Sequence, residues 1–346
     1  MTTRVLITGS AGFVGHHLVA YILDNTDWEI ICLDRLDISG NLNRLAEILN
    51  QRSQQQSRVS IIYHDLKSEI NSVTESFIGP VDIILHLAAA SHVDRSILNP
   101  IEFVMDNVVG TVNLLNFARK QQRLQRFVYF STDEIFGPAP NGIAFKENDR
   151  YNSTNPYSAS KAGGEEMCVA FQNTYGIPML ILHTMNVFGE RQHPEKFIPM
   201  SIRKILLNEE VLIHANSDLS RPGSRFYIHA EDVSSAVVYL LNCVDIDKIK
   251  GLSDDMLKCP KVNIVGVKEI DNLSLAKSIA DILDRPLRYK LVDYHSSRPG
   301  HDLRYALNGS LIMSLGWQPV RIIDDQLKSL VDWTTKNFSW LGIRQD

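Results

Sequence analysis

The chain carries Thr8-Gly9-Ser10-Ala11-Gly12-Phe13-Val14-Gly15 between an apolar run that ends at Thr8 and a helical pattern. Glycines at the spacing GxxGxxG between a strand and a helix are typical of a turn that binds a dinucleotide. Gly9 permits the tight turn, Gly12 lets the backbone approach a pyrophosphate, and Gly15 allows the helix to pack closely on the strand. The N–H groups at the start of the helix then face the phosphates. This stretch therefore predicts a dinucleotide site at the end of the first strand.

Outside this turn, strand-length apolar runs alternate with helical stretches. The pattern predicts strands at Arg4–Thr8, Glu29–Leu33, Val59–Tyr63, Asp82–Leu87, Arg126–Ser131 and Met179–His183, and helices at Val14–Leu23, Asn107–Lys120 and Ala159–Tyr175. Such alternation is typical of a parallel sheet with helices on both faces. Prolines interrupt the chain after residue 185. We therefore predict an α/β fold with a Rossmann-type, doubly wound parallel sheet in residues 1–185. Residues 186–346 would mostly form a smaller C-terminal substrate-binding lobe, whose strands can interleave with the first domain.

Length and composition exclude several classes of protein. The 346 residues correspond to about two domains, and 44% hydrophobic with 22% charged residues is ordinary for a globular protein. Lys and Arg total 35 against 40 Asp and Glu, a net charge of −5, which argues against a general binder of nucleic acid or membrane surfaces. No apolar run reaches the roughly 18 residues of a membrane helix. The four cysteines form no CxxC pair, no metal site is predicted, and no export signal is seen, so we expect a cytoplasmic protein.

The end of the second predicted strand indicates which dinucleotide binds. Asp34 follows Gly15 by 19 residues, and a carboxylate there accepts the ribose hydroxyls and repels a 2′-phosphate. Arg35 is a contrary sign, because an arginine at this place can pair with that phosphate. Asp65, after the third strand, is placed to reach the adenine, although a loop-capping role explains it as well. The balance favours NAD over NADP as cofactor.

Two further groups of residues indicate catalysis. Tyr157-Ser-Ala-Ser-Lys161 places a phenol and an ammonium on one helical face, where the cation is expected to lower the pKa of the phenol toward neutrality. Ser131-Thr132-Asp133-Glu134 follows an apolar strand, at the sheet edge where ligands bind in open α/β sheets. Two adjacent carboxyl groups tend to separate their pKa values and so provide an acid and a base. A helix N-cap with an acidic first turn explains the same residues equally well.

Several stretches together resemble one family. They are His86-Leu87-Ala88-Ala89, Ser91-His-Val-Asp-Arg-Ser96, Asn107-Val-Val-Gly-Thr111, Ser131-Thr-Asp-Glu-Ile-Phe-Gly137, Pro194-Glu-Lys-Phe-Ile-Pro199 and Arg298-Pro-Gly-His-Asp-Leu-Arg-Tyr305. With the glycine turn and the Tyr157/Lys161 pair, they resemble the extended short-chain dehydrogenases/reductases and, within these, the nucleoside-diphosphate-glucose 4,6-dehydratases of the dTDP-glucose type. The resemblance covers nearly the whole chain. Thr132-Asp133-Glu134 is its most specific part, because related epimerases and decarboxylases usually lack the two acids.

The resemblance implies a reaction and a role for each residue of the catalytic group. Tyr157 would take the proton of the sugar 4-hydroxyl while C4 gives a hydride to NAD, and Thr132 would hold that oxygen. Lys161 would bind the nicotinamide ribose and tune Tyr157. Glu134 as base and Asp133 as acid would then eliminate water across C5 and C6. Hydride return to C6 would leave a 4-keto-6-deoxy sugar, with NAD regenerated and retained.

The resemblance also implies contact residues and an assembly. Cofactor contacts would come from Gly9, Gly12, Phe13, Val14, Gly15, Asp34, Arg35, Leu36, Asp65, Leu66, Leu87, Ala88, Ala89, Tyr157 and Lys161. Contacts to a nucleotide-sugar substrate would come from Ser91, Thr132, Asn186, Lys196, Phe197, Ile198, Arg225, Asn263, Arg298 and His301. The predicted helices Asn107–Lys120 and Ala159–Tyr175 would pair across a two-fold axis into a homodimer.

Alternatives remain open at this point. A nucleoside-diphosphate-sugar 4-epimerase would share the fold but leave Asp133 and Glu134 without a role, and a non-catalytic NAD-binding regulator would need neither Tyr157 nor Lys161. Ala90, His183 and Val187 depart from the family pattern at the substrate end. These departures leave the base, thymine or uracil, and the sugar, glucose or its 2-acetamido analogue, undecided.

Overall fold

The computed structural model describes residues 2–37, 39–245, 249, 259–294 and 302–343. Its strands are β1 Arg4–Thr8, β2 Glu29–Asp34, β3 Val59–Tyr63, β4 Ile83–His86, β5 Arg126–Thr132, β6 Met179–Thr184, β7 Val187–Phe188, β8 Val211–Ala215, β9 Ser224–Phe226, β10 Ile228–His229, β11 Lys261–Ile264, β12 Glu269–Asp271 and β13 Tyr289–Asp293. Its α-helices are α1 Phe13–Asn25, α2 Leu42–Asn50, α3 Ser72–Ile78, α4 Val93–Leu98, α5 Pro100–Val104, α6 Gly110–Ala118, α7 Pro156–Tyr175, α8 Phe197–Leu206, α9 Ala230–Cys243, α10 Asn272–Leu283, α11 Ser310–Ser314 and α12 Ile323–Lys336. Short 3₁₀ helices lie at Ser53–Arg58, Asp133–Phe136 and Phe338–Leu341.

The centre of the molecule is a parallel sheet of seven strands in the order β11-β6-β5-β4-β1-β2-β3. The chain runs outward from β1 to β3 and then returns to the other side of β1 with β4. The loops after β1 and β4 therefore leave the sheet in opposite directions and open a crevice, which is where ligands bind in such sheets. This confirms the predicted Rossmann-type fold.

Alternating residues of β1 explain why the sheet is covered on both faces. Val5 and Ile7 belong to the core beneath α1 and α9, whereas Leu6 belongs to the core beneath α6 and α7. All three side chains are fully buried. A strand buried on both faces must be apolar at every position, which accounts for the continuous Val-Leu-Ile run in the sequence.

The observed elements correct the predicted bounds in two places. The sequence places a helix at Asn107–Lys120, but the helical stretch begins at Pro100 and contains a π-helical turn, Met105–Val109. The wide turn directs Asn107 inward, where its amide bonds both backbone groups of Ala90. The sequence predicts no element between Glu29–Leu33 and Val59–Tyr63, where the structure has α2 and the mostly exposed 3₁₀ helix Ser53–Arg58.

The second lobe packs around its own core and also contributes to the first. Helices α8, α10 and α12 enclose that core together with the parallel pair β8–β13. However, β11 completes the central sheet beside β6, and α9 packs on α1. The central unit thus takes elements from both sides of residue 185. Within the part of the chain that the structure describes, no helix is both long and apolar enough to cross a membrane.

Candidate active site

A cleft of about 400 Å³ lies at the carboxyl ends of the strands and extends toward the second lobe. Most of the residues assigned from sequence line it together: Gly9, Gly12, Phe13, Val14, Gly15, Asp34, Arg35, Asp65, Leu66, Leu87, Ala88, Ala89, Ser91, Thr132, Asp133, Glu134, Tyr157, Lys161, Asn186, Lys196, Phe197 and Ile198. The glycine turn Gly9–Gly15 and the acidic triplet Thr132-Asp133-Glu134, which are more than 100 residues apart in sequence, thus line the same cleft.

Three assigned residues do not line the cleft. Leu36, two residues after Asp34, has a left-handed backbone conformation. Its backbone N–H supports the site by donating a hydrogen bond to the Asp34 carboxylate. Asn263 is fully buried, and its amide donates to the carbonyls of Phe145 and Asn308 at 3.0 Å each. Arg225 is the third of these residues. The side chain of Asn263 thus joins segments of the fold in the protein alone, and its assignment to the substrate stays a prediction. Arg298 and His301 lie outside the described residues.

The glycine turn has the geometry that a phosphate site requires. Gly9 has a φ of +70°, and a Cβ there would come within 2.7 Å of the backbone nitrogen of Ala88. Helix α1 begins at Phe13 with no side-chain cap and no acidic residue in its first turn. The first N–H groups and the positive end of the helix dipole therefore face the cleft, ready for an anion.

Asp34 is held rigidly at the other end of this pocket. Its two carboxylate oxygens accept the backbone N–H groups of Ala11 and Leu36, each at 2.9 Å. Burial raises the pKa of Asp34, whereas these two hydrogen bonds lower it. The carboxylate keeps further lone pairs for ribose hydroxyls, as an NAD site requires.

The turn that follows β5 presents the acidic triplet. The Thr132 hydroxyl donates to Asp133 Oδ1 at 3.0 Å and accepts the N–H of Glu134 at 3.4 Å, so it also acts as an N-cap. The N-cap drawn from the sequence is therefore observed, at the start of the 3₁₀ helix Asp133–Phe136, and the catalytic interpretation stays a prediction. Asp133 is buried, and its Oδ2 has no hydrogen-bond partner among the described residues. Such an unsatisfied buried oxygen in a cleft is available for a substrate group.

The two carboxyl groups have raised pKa values. Burial and the neighbouring Glu134 raise the pKa of Asp133 to about 7. Burial also raises the pKa of Glu134, opposed by the charges of Arg225 and Lys196 and by a hydrogen bond from Asn155 at 3.3 Å. Near neutral pH Asp133 is therefore partly protonated beside a second carboxyl group, an arrangement suited to acid–base chemistry.

Helix α7 carries the phenol and the ammonium. Asn155 caps the helix, and the Tyr157 backbone N–H donates to Ser96 Oγ at 3.1 Å. The Lys161 ammonium lies 4.2 Å from the centre of the Tyr129 ring, and burial lowers the pKa of Lys161 to about 8.

The electrostatics of Tyr157 correct the sequence prediction. The pKa of Tyr157 lies above its usual value, because burial and the nearby acids Glu134 and Asp133 outweigh a hydrogen bond with Thr132. Lys161 is not among the groups that shift it. In the protein alone, therefore, the i, i+4 spacing does not by itself produce an acidic phenol.

Arg225 stands beside the site. Its guanidinium donates to the backbone carbonyls of Ser224, Asp302 and Leu303 at 2.6 to 2.7 Å. Its charge nevertheless lowers the pKa of Glu134. The structure thus shows an electrostatic role for Arg225 toward the acids, and its assignment to the substrate diphosphate stays a prediction.

Sequence reasoning missed a further part of the cleft. The residues concerned are Leu33, Asp37, Ser39, Gly40, Arg44, His64, Lys67, His92, Arg95, Asp106, Phe130, Ser131, Thr184, Met185, Val187, Gln192, His193, Glu195 and Tyr227. Glu195 pairs with Arg95 at 2.8 Å and with His92 at 3.2 Å, joining the segment after β4 to the second lobe. Both partners lie in the family-like stretches, so charged residues within those stretches were an available signal. No local signal distinguishes Arg44.

A model of the NAD dependent epimerase/dehydratase family matches residues 5–250. The chain belongs to this family. One relative, the dTDP-glucose 4,6-dehydratase of Escherichia coli, is 32% identical in an alignment of 364 positions, which covers 97% of this chain and 95% of the relative. Among solved structures, DesIV, a dTDP-glucose 4,6-dehydratase from Streptomyces venezuelae with NAD bound, superposes with a TM-score of 0.83 at 31% identity over 98% of each chain.

A further solved structure, at lower identity, shares the fold. The UDP-glucuronic acid 4-epimerase from Bacillus cereus superposes with a TM-score of 0.83 over 97% of this chain and 100% of its own, but at 22% identity. NAD is the cofactor of the protein described here, in agreement with the geometry around Asp34 and the uncapped start of α1.

Proposed function

We propose that this protein is an NAD-dependent nucleoside-diphosphate-glucose 4,6-dehydratase that converts dTDP-glucose or UDP-glucose to the 4-keto-6-deoxy sugar. One observation carries the proposal. Asp133 and Glu134, both with raised pKa values, lie in the same cleft as Thr132 and Tyr157. Oxidation at C4 needs only the hydroxyl and the phenol, whereas elimination of water needs an acid and a base as well. The relatives named as dehydratases support the same reaction.

The residues around the glycine turn fit NAD. The N-terminus of α1 would hold the pyrophosphate, Asp34 the adenosine ribose, and Lys161 the nicotinamide ribose. When bound, NAD supplies the hydride acceptor for C4 and the hydride donor for C6. The protein must supply the proton transfers.

We assign the first proton transfer to Tyr157, which takes the proton of the 4-hydroxyl while Thr132 holds that oxygen. The phenol must be ionised for this step, and because burial raises its pKa in the protein alone, the positive charges of the nicotinamide ring and of Lys161 would have to lower that pKa when NAD is bound. The resulting 4-ketone makes the C5 proton acidic, and Glu134 removes it. Asp133, in its protonated form, gives a proton to the C6 hydroxyl, which leaves as water. The hydrogen bond between Thr132 and Asp133 holds the hydroxyl that binds the 4-oxygen beside the carboxyl group that protonates the 6-hydroxyl.

This assignment predicts the pH dependence of kcat/KM. Asp133 acts as an acid and must be protonated, and its pKa lies at about 7. We therefore expect kcat/KM to fall as the pH rises through about 7, since kcat/KM reports groups of the free enzyme. Initial rates across the neutral range test this. The residual activity of Asp133→Asn should lack this alkaline decline, and a decline that persists unchanged in the variant would contradict the assignment.

The reaction itself is tested by mass spectrometry after separate incubation with dTDP-glucose, UDP-glucose and UDP-N-acetylglucosamine. Loss of one water from a sugar, without added NAD, is the expected result, and the relative rates identify the nucleotide. An epimerised product of unchanged mass would replace the proposal with a 4-epimerase. No product from any of the three, even with NAD supplied, would contradict the proposed substrates.

The 4-epimerase remains the second candidate because it shares the fold and the Tyr157/Lys161 pair. It gives no role to the buried, unsatisfied oxygen of Asp133, nor to the carboxylate of Glu134. A non-catalytic regulator leaves Tyr157 and Lys161 unexplained too. The dehydratase uses all of these groups, and we therefore prefer it.

We further propose a homodimer. Helices α4 and α5, which precede the π turn, expose a row of large apolar side chains, among which Leu98 and Ile101 are 77% and 74% exposed. Helix α7 presents the small residues Ala159 and Ala170 to solvent, and small residues allow close approach of helices. A two-fold axis would bring each apolar row against a copy of itself. Light scattering of the purified protein should give twice the monomer mass, and a monomer would contradict the proposal.

We also propose a cytoplasmic location. Cys32, Cys168 and Cys243 are free thiols, and the first two are buried. Free thiols throughout a chain are typical of proteins from a reducing compartment.

A further inference from the structure

Arg35 stands at the place in the sequence from which an arginine can reach a 2′-phosphate on the adenosine ribose. Arg35 directly follows Asp34, and both side chains line the cleft. An arginine at this place commonly accommodates the 2′-phosphate of NADP. The question is therefore whether this guanidinium can turn toward such a phosphate.

The guanidinium of Arg35 is held in an ion pair by Asp106. Its two carboxylate oxygens accept two Arg35 nitrogens at 2.5 and 2.8 Å, in a bidentate pair. The Asp106 side chain is 5% exposed and that of Arg35 is 23% exposed. Charge-assisted bidentate pairs fix a guanidinium in one orientation, and partial burial shields this one from solvent. A second acid, Asp37, accepts the Arg35 Nε at 2.7 Å.

The π-helical turn is what places Asp106 here. Asp106 and Asn107 are consecutive buried residues of the turn Met105–Val109, and Asn107 is tied to the backbone of Ala90. The backbone that carries Asp106 is therefore held in place as well. Turns of this kind occur frequently at functional sites.

The surrounding charge also disfavours a phosphate. Asp65 lies 3.7 Å from Arg35 and 3.6 Å from Lys67, and Lys67 in turn lies 3.8 Å from Asp106. The four carboxylates Asp34, Asp37, Asp65 and Asp106 thus face three cations, namely Arg35, Arg44 and Lys67. A 2′-phosphate would bring more negative charge into a region that already has a surplus of it.

We propose that Asp106 determines dinucleotide selectivity by holding Arg35 away from the ribose, so that the protein rejects NADP. Asp106 acts through Arg35 and is a positioning residue, not a catalytic one. The inference concerns the dinucleotide alone and holds whatever sugar the enzyme converts.

The test measures which dinucleotide the protein holds. The purified full-length protein is equilibrated with equal concentrations of NAD and NADP until the bound ratio is constant. Free nucleotide is then removed, and the bound NAD and NADP are quantified by ion-exchange chromatography. The variant Asp106→Asn keeps the shape of the side chain and removes its charge. The matched control is Glu102→Gln, one turn earlier on α5, where the side chain is exposed.

We expect Asp106→Asn to raise the bound NADP:NAD ratio about tenfold, as one freed charge-assisted contact predicts. Glu102→Gln should leave the ratio unchanged, and adding Arg35→Met to Asp106→Asn should cancel the gain. A ratio in Asp106→Asn no higher than in Glu102→Gln would overturn the proposal, as would a gain that survives the loss of Arg35. Should Asp106→Asn not fold, Asp106→Ser, which also removes the carboxylate that pairs with Arg35, must shift the ratio in the same direction.

Discussion

Glu134→Gln is expected to stop dehydration while oxidation at C4 continues. The amide cannot take the C5 proton, and loss of a general base typically costs about 10²- to 10⁴-fold in rate. The Asn155 amide, 3.3 Å from Glu134 Oε2, can still bond the glutamine oxygen, so the turn should keep its shape. Tyr157 and Thr132 are untouched by the change.

Two readouts separate the steps. Mass spectrometry should show the sugar without loss of water, and the near-ultraviolet absorbance of reduced dinucleotide should rise when sugar is added to the variant. Glu166→Gln serves as the control, because it makes the same chemical change at an exposed position of α7. Dehydration at the normal rate in Glu134→Gln would show that another group is the base.

The second large effect is expected from a buried charge cluster beneath the active site. Glu165 lies one helical turn after Lys161 and is fully buried. Its carboxylate pairs with Lys261 at 2.8 Å and with His183 at 3.2 Å. His183 is one of the positions that depart from the family pattern, and its other ring nitrogen lies 2.8 Å from Asn263 Oδ1. The cluster therefore ties α7 to β6 and β11.

Lys261→Met is expected to destabilise the protein by about 3 kcal/mol, the order found when one partner of a buried ion pair is removed. Methionine keeps the aliphatic stem, so the loss reports the charge and not a cavity. Urea unfolding, compared at equal m values, measures it. The matched control is Lys268→Met, which removes a surface pair with Asp324 and should cost less than about 1 kcal/mol. Similar small losses in both variants would contradict the prediction.

The same cluster gives the stability a pH dependence of known sign. Burial raises the pKa of Glu165, but His183 and Lys261 outweigh burial and hold that pKa below its usual value. A carboxyl whose pKa is depressed by folding stabilises the protein above its unfolded pKa, and this contribution is lost as the pH falls toward the folded value. Lys261→Met should therefore lose stability at a higher pH during acid titration than the parent protein does.

Local pattern was enough for the elements that are built from neighbouring residues. The strand at Arg4–Thr8 is observed with the predicted bounds, because a strand buried on both faces must be apolar throughout. The glycine turn and Asp34 followed from spacing, since a βα turn and its phosphate site lie within one short stretch. Thr132 to Glu134 and Tyr157 with Lys161 were found in the same way. Each depends on side chains within four positions of one another.

Contacts between distant segments decided the rest. The sequence marked Arg35 as a contrary sign, and only the fold shows that Asp106, 71 positions later, occupies it. Asn263 has the residue type of a substrate ligand, yet its pairing with β6 buries it among other polar groups. The pKa of Tyr157 rises because burial and the acids of the loop after β5 outweigh a hydrogen bond with Thr132, and Lys161, one turn away, is not among the groups that shift it. Burial and charge depend on everything within reach in space, and sequence neighbours are a small part of that surrounding.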